Sequence, residues 1–219
     1  MTGAVRIVVF ASGNGSNFQA LIDAIGTGSI EHSGIAALIC DTPGAGCLDR
    51  AVRHGIPSWC IPLPEGARRG SPARLAWNQR LAGIAEFFEP DWILLLGWMR
   101  LLDAPFLECF PGRVVNLHPA LPGTFPGTHA IEDAYRAFRE GRIERTGIML
   151  HLVPDEKVDC GPVLRFAEVE IRDTDTLETL AQRIHEVEHR EVVALVRQLV
   201  QRQLVEKEHN DAARLGFSV

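Results

Sequence analysis

An asparagine and a histidine stand two residues apart at the end of an apolar run, Val114-Val115-Asn116-Leu117-His118. Residues i and i+2 of an extended segment face the same side, so an amide and an imidazole are presented together. The amide donates through its NH2 group, and the imidazole donates a hydrogen bond or exchanges a proton near neutral pH. That pair has the chemistry to stabilise the oxyanion formed when a carbonyl is attacked. Three prolines and two glycines fall within residues 119–127, which stops the strand and leaves the pair at an exposed edge. Further on, the polar segment 154–162 carries Asp159 just before Cys160-Gly161-Pro162. A carboxylate facing His118 favours the protonated ring and orients it. No serine or cysteine adjoins the pair as a nucleophile, which points to direct attack by a substrate group without a covalent enzyme intermediate. The competing reading makes His118 a structural histidine and Asp159 a turn residue, and it predicts that the three side chains do not meet.

A second chemical feature is the turn Ala11-Ser12-Gly13-Asn14-Gly15-Ser16-Asn17. Glycines between a strand and a helix allow unusual backbone angles and close ligand approach. The helix start adds free N–H groups and the positive end of a dipole, a setting for phosphate. A dinucleotide fingerprint needs glycine where Phe18 stands, and the lysine of a nucleotide-triphosphate loop is missing. A phosphate monoester fits better than either. The alternative is a tight strand-to-helix turn in which Ser16 or Asn17 simply caps the helix.

The elements that must carry these groups alternate in length. Short apolar runs occupy residues 5–10, 34–40, 92–96, 113–117 and 147–153. Their continuous hydrophobicity suits strands buried on both faces of a parallel sheet. Helical spacing occupies 17–25, 45–54, 72–88, 130–139 and 177–205, with Ser71-Pro72 as an N-cap and first-turn proline. The pattern predicts an α/β fold, a doubly wound and mostly parallel sheet with helices on both faces, Rossmann-like in plan. In such sheets ligands bind beyond the carboxyl ends of the strands, where Asn116 and His118 fall. Residues 1–219 read as one domain. A phosphate-binding half spans about 1–100, a catalytic half about 97–205, and a polar, loosely docked tail 206–219. No repeat, linker or low-complexity tract divides the chain.

Composition narrows the classes. The chain has 219 residues, 46% hydrophobic and 23% charged, with a net charge of -6, so a large core is available. Nucleic-acid binding calls for a basic stripe, and none is present. No apolar run reaches the length of a membrane span, and the N-terminus lacks the long apolar region of a signal peptide; the expected compartment is the cytoplasm. The five cysteines are irregularly spaced with no CxxC pair, which suits free thiols in a reducing compartment and no zinc site.

These residues bring a family into view. The chain resembles the phosphoribosylglycinamide formyltransferases, folate-dependent enzymes of purine biosynthesis, over residues 5–199. The resemblance rests on SGNGSN at 12–17, GWMRLL at 97–102, NLHPALPGTFPG at 116–127, VDCGPV at 158–163 and EVEH at 186–189. It implies that the amine of glycinamide ribonucleotide attacks the formyl carbon of 10-formyltetrahydrofolate, a co-substrate, with no metal. Asn116 and His118 would stabilise the tetrahedral intermediate. Asp159 would hold and polarise His118 and pass a proton, through water, to the leaving folate nitrogen. Gly15, Ser16 and Asn17 would bind the phosphate and Glu188 the ribose end. Arg74, Met99, Arg100, Leu101, Leu102, Asp155, Glu156, Lys157 and Val158 would line the folate pocket, with His129 a further position near substrate. The partners implied are small molecules, without nucleic acid or membrane, on a monomer or homodimer.

Departures from the family pattern cluster beside the site. Where relatives read HPSLLP this chain reads His118-Pro119-Ala120-Leu121-Pro122-Gly123, so any cis peptide there is expected to shift or vanish. Cys160 replaces a Gly or Ala and is expected to tighten the folate loop, and Trp98 is expected to pack as core beside it. Within the superfamily a 10-formyltetrahydrofolate hydrolase or a sugar-nucleotide formyltransferase is the alternative. The hydrolase usually carries an N-terminal domain, for which a first strand at about residue 5 leaves no room, and methionyl-tRNA formyltransferase would need a C-terminal domain and a basic face. A non-catalytic metabolite binder is the reading from a different class.

Overall fold

The computed structural model describes residues 4–214, with side chains through residue 207. The short apolar runs form strands and the longer amphipathic segments form helices. The order is β1 (Val5–Ala11), α1 (Ser16–Gly26), β2 (Ser33–Cys40), α2 (Gly46–Arg53), β3 (Ser58–Cys60), α3 (Pro72–Phe87), β4 (Trp92–Leu95), α4 (Ala104–Leu107), β5 (Val114–His118), α5 (Ala130–Arg139), β6 (Arg145–Leu152), β7 (Val163–Glu170) and α6 (Leu177–Arg214). Seven strands form one sheet in the order β3-β2-β1-β4-β5-β6-β7. The first five strands in that order are joined by four parallel pairings, while β6 and β7 add an antiparallel edge. This is the doubly wound, mostly parallel α/β sheet that the alternating pattern predicts.

Alternation along β1 shows why both faces need helices. Ile7 and Val9 pack on one side with Phe18 and Leu21 of α1 and Leu180, Ile184 and Leu195 of α6. Val8 and Phe10 pack on the other with Trp77 and Leu81 of α3 and Phe106 of α4. All four β1 residues are essentially inaccessible, and each such burial contributes roughly 1.5–3 kcal/mol. Phe10 meets Trp98 and Phe106 edge-on, with ring centroids 5.1 and 5.4 Å away. Trp98 also stacks on Trp77 at 5.9 Å, as core beside the cleft.

Strand order reverses between β1 and β4: the chain builds outward from β1 through β2 and β3, then returns to β1's other side. Such a switch point opens a crevice at the carboxyl ends of the strands. The turn after β1, the segment after β4 and the end of β5 all empty into it. On α3, Ser71 caps the helix by accepting from the Arg74 N–H at 3.2 Å, with Pro72 in the first turn.

Several elements escape the apolar pattern. Strand β3 has three residues and β7 has many exposed positions, too short or too wet for a buried-strand signature. Helix α4 spans one turn. Helix α6 continues to Arg214, beyond the expected end near residue 205. Its last turns are rich in Gln, Arg, Glu and Lys, residues with high helix propensity and no apolar stripe. Lys207 pairs with Asp91 at 2.8 Å; residues 215–219 of the expected polar tail lie outside the described residues. No peptide bond among the described residues is cis, and Gly123 and Gly127 take positive φ in the loop after β5.

Candidate active site

A cleft of about 630 Å³ runs across the switch point. Its floor at one end is the turn after β1. Gly15 holds φ +77°, and a Cβ there would meet Cys47 Cβ at 2.7 Å, so glycine is required on both counts. Gly15 occupies the N-cap of α1 with no side-chain cap, which leaves the first N–H groups of Ser16 and Asn17 facing the cleft without the serine or asparagine cap that the alternative reading of this turn required.

Asn17 does more than offer its backbone. Its Nδ2 donates to Glu188 Oε2 at 2.9 Å, joining α1 to α6. Its Oδ1 is buried with no partner, an acceptor waiting for a donor. His185, one turn earlier on α6, bonds the same Glu188 oxygen through Nδ1 at 2.9 Å. The bond to Glu188 raises the His185 pKa, and burial opposes it. Gly15, Ser16, Asn17, His185 and Glu188 thus form one polar end of the cleft.

At the middle stand Asn116, His118 and Asp159, and they converge. His118 Nδ1 lies 3.4 Å from Asp159 Oδ2, and Asn116 Nδ2 donates to Asp159 Oδ1 at 3.1 Å. The Gly127 N–H donates to Asp159 Oδ2 at 3.0 Å, so the loop after β5 folds back to hold the carboxylate. Asp159 sits at φ +50°, a left-handed conformation uncommon outside glycine that aspartate tolerates better than most. His118 Nε2 lies 3.0 Å from the Phe125 carbonyl; a carbonyl only accepts, so Nε2 carries a proton.

A fourth member, His151, was not expected. Antiparallel pairing of β5 and β6 sets it directly opposite Asn116. Its Nδ1 lies 2.9 Å from the Leu152 carbonyl and therefore donates, leaving Nε2 to accept from Asn116 Nδ2 at 3.2 Å. His151 Nε2 is also 3.5 Å from Asp159 Oδ1. Both amide hydrogens of Asn116 are thus engaged. A lone histidine in the apolar run 147–153 was the available signal, but only strand register reveals its partner.

Electrostatics set the resting state. Burial pushes the His118 pKa below its ordinary value, outweighing the pull of Asp159. Burial pushes Asp159 up, but the neighbouring His151 ring, the Gly127 N–H and the His118 ring prevail, and it lies below the usual carboxylate range. At neutral pH the carboxylate is ionised and His118 is held neutral, with Nδ1 offering a lone pair towards an anion. Protonation at Nδ1 would satisfy both nitrogens at once, so the histidine is arranged to receive a proton.

The far end of the cleft is lined by Met99, Arg100, Leu101, Leu102, Asp155, Glu156, Lys157 and Val158. Met99 and Leu101 are 54% and 40% exposed, an apolar patch left open inside a groove. Arg100 is tied to Asp41 at 2.7 Å. Glu156 turns its carboxylate away from the cleft: Oε1 accepts from the Ala104 N–H at 2.8 Å and Oε2 pairs with Arg69. Those bonds lower its pKa and dock the Asp155–Asp159 loop onto α4. Arg74 is not in the lining. It lies buried on the inner side of α3, paired with Asp103 at 3.1 Å and donating to the Leu101 carbonyl, so it supports the wall from behind. His129 is exposed at the start of α5 and also outside the lining. Cys160 is exposed rather than packed. Among the described residues no group of three or more His, Cys, Asp or Glu could hold a metal ion, and no helix is long and apolar enough to cross a membrane.

The formyl transferase family pattern matches residues 5–196. The chain belongs to this family. A formyl transferase from Dictyostelium discoideum, named phosphoribosylglycinamide formyltransferase, is 39% identical over 202 residues, covering 89% of this chain and 97% of the relative. The Bacillus subtilis protein of the same name is 36% identical over 195 residues, covering 89% and 94%. Among solved structures, glycinamide ribonucleotide transformylase 1 from Geobacillus kaustophilus superposes with a TM-score of 0.81 at 37% identity, covering 90% of this chain and 99% of that one. This formyl transferase is therefore an enzyme, and the solved structure shares its α/β fold over 90% of the chain.

Proposed function

We propose that this formyl transferase moves the formyl group of 10-formyltetrahydrofolate to the amine of glycinamide ribonucleotide, a step of purine biosynthesis. The observation that carries the catalytic part is the meeting of Asn116, His118 and Asp159 midway along one cleft. The names of the relatives, each covered over more than nine-tenths of its own length, support the choice of substrates. The ribonucleotide phosphate takes the free N–H groups of the turn after β1, and its ribose hydroxyls donate to Glu188 and to the unpartnered Oδ1 of Asn17. The folate lies along Met99, Leu101 and Val158, against the loop that Glu156 docks.

The chemistry follows from the bonds in place. The amine attacks the formyl carbon, and negative charge gathers on the formyl oxygen. Asn116 releases one of its two amide hydrogens from Asp159 and turns it to that oxygen. A single such donor is worth about 100- to 1000-fold in turnover. His118 shares through Nδ1 the one proton that the amine gives up to Asp159, and that proton, held between ring and carboxylate, offsets the developing anion. Asp159, freed from Asn116, accepts the amine proton and returns it through water to the departing folate nitrogen. No side chain forms a covalent bond to the formyl group.

The test follows tetrahydrofolate release with and without glycinamide ribonucleotide. The expected result is release that depends on the amine. Release at an equal rate into water alone would make the protein a hydrolase and overturn the reading.

A further inference from the structure

A phosphate dianion bound at the turn after β1 would find no Lys or Arg within the turn itself. The Arg and Lys side chains lining the cleft are Arg100 and Lys157, and both are committed, to Asp41 at 2.7 Å and Asp155 at 3.5 Å; His185, at the phosphate end, is likewise tied to Glu188 at 2.9 Å. Helix α1 supplies only a partial charge, near half a unit. Behind the turn, however, stands Arg50 of α2. Its Nε donates to the Asn14 carbonyl at 2.8 Å and its Nη2 to Asn14 Oδ1 at 2.7 Å. Its Nη1 donates to Gln19 Oε1 of α1 at 3.1 Å. All three acceptors are neutral, and among the described residues no carboxylate pairs with Arg50.

The same helix touches the turn at two more places. The Cys47 N–H donates to the Gly13 carbonyl at 3.1 Å. A Cβ on Gly46 would come within 3.2 Å of the Asn14 carbonyl oxygen, so α2 and the turn are in close backbone contact. Carbonyls at positions 13 and 14 are drawn backwards onto α2, which leaves the following N–H groups pointing forwards. A planar fork is suited to this, because it grips two oxygens of one residue and a third on α1 at fixed angles.

We propose that Arg50 is a positioning residue for the phosphate end of the site: it fixes Asn14 so that the turn is pre-set before substrate arrives, and it supplies the uncompensated positive charge behind it. The inference rests on the ribonucleotide reading of the cleft. Arg50 itself touches no substrate. Its two contributions separate by substitution: Arg50→Gln loses fork and charge, whereas Arg50→Lys keeps the charge and loses the fork.

The test measures binding of glycinamide ribonucleotide by calorimetry and steady-state KM for both substrates, at several salt concentrations. For Arg50→Gln the expected result is a rise of about 10-fold or more in Kd and KM for the ribonucleotide, corresponding to at least about 1.4 kcal/mol. KM for the folate should stay within about 2-fold, by the same measure of a few tenths of a kcal/mol. Arg50→Lys should fall between, and it should keep the wild-type salt dependence that Arg50→Gln loses, since a screened charge is what salt weakens. A general loss of structure would raise both KM values and leave the salt slope alone. Equal ribonucleotide affinity in wild type and Arg50→Gln, or matched losses for both substrates, would overturn the proposal. Wild-type binding without turnover would defeat the transfer reaction while leaving the Arg50 comparison intact; no wild-type binding would defeat both.

Discussion

His118 sits between a carbonyl that requires a proton on Nε2 and a carboxylate that rewards a proton on Nδ1, while burial opposes carrying both. The balance makes a direct prediction. In the free protein an NMR titration of the His118 ring should show a midpoint below 6.5, and a midpoint above it would contradict the arrangement. Asp159→Asn removes the neighbour that favours the charged ring, so the midpoint should fall further. The same substitution should lower kcat by about 100-fold or more, in the range expected for a positioned proton-transfer group, with little change in ribonucleotide affinity. Steady-state kinetics near wild type would refute the role of Asp159. Stability follows the same signs. Asp159, with its depressed pKa, stabilises the fold above its ordinary unfolded value and loses that contribution as pH falls through the folded value. His118 is held neutral, so the unfolded chain takes its proton first and stability also declines as pH drops below about 6.5.

Two elements place these residues, and each has a point of failure. The loop from Asp155 to Asp159 is anchored by Glu156 to α4 and to Arg69. Glu156→Ala should free the loop, raising KM for the folate by roughly 10-fold, a cost of about 1.4 kcal/mol, while KM for the ribonucleotide moves much less. Kinetics with both substrates varied would expose a uniform effect, which would contradict a local anchor. Strand β6 depends on Gly147, where an added Cβ would run into the Ala167 carbonyl and the Leu121 side chain. Backbone on one side leaves little room to yield, so Gly147→Ala should cost about 3 kcal/mol, the upper end for overpacking. At about 2–4 °C per kcal/mol for a chain of this size, calorimetry should record a drop near 10 °C, and an unchanged Tm would mean that the β6–β7 edge relaxes freely.

At the scale of the whole molecule, what the sequence discloses depends on how local the signal is. The strands buried on both faces are continuous apolar runs, and the helices between them carry caps such as Ser71-Pro72, so the doubly wound sheet is legible from pattern alone. Asn116 and His118 are legible because a two-residue spacing at a strand end is itself geometry. Asp159 is legible as a polar residue in a loop, but its approach to His118 depends on the Gly127 N–H and on a left-handed backbone that no spacing encodes. His151 is hidden because its partner is chosen by strand register. Arg74 misleads for the opposite reason: an arginine in a plausible place is turned inward by Asp103. The substrates themselves came from resemblance, since a phosphate turn and an oxyanion site specify a class of chemistry and leave the molecule open. The fate of the formyl group joins all three scales. In a single turnover with formyl-labelled 10-formyltetrahydrofolate and glycinamide ribonucleotide, the label should pass to the ribonucleotide amine, with none on the protein. Label recovered as formate, or bound to the protein, would contradict direct transfer at Asn116, His118 and Asp159.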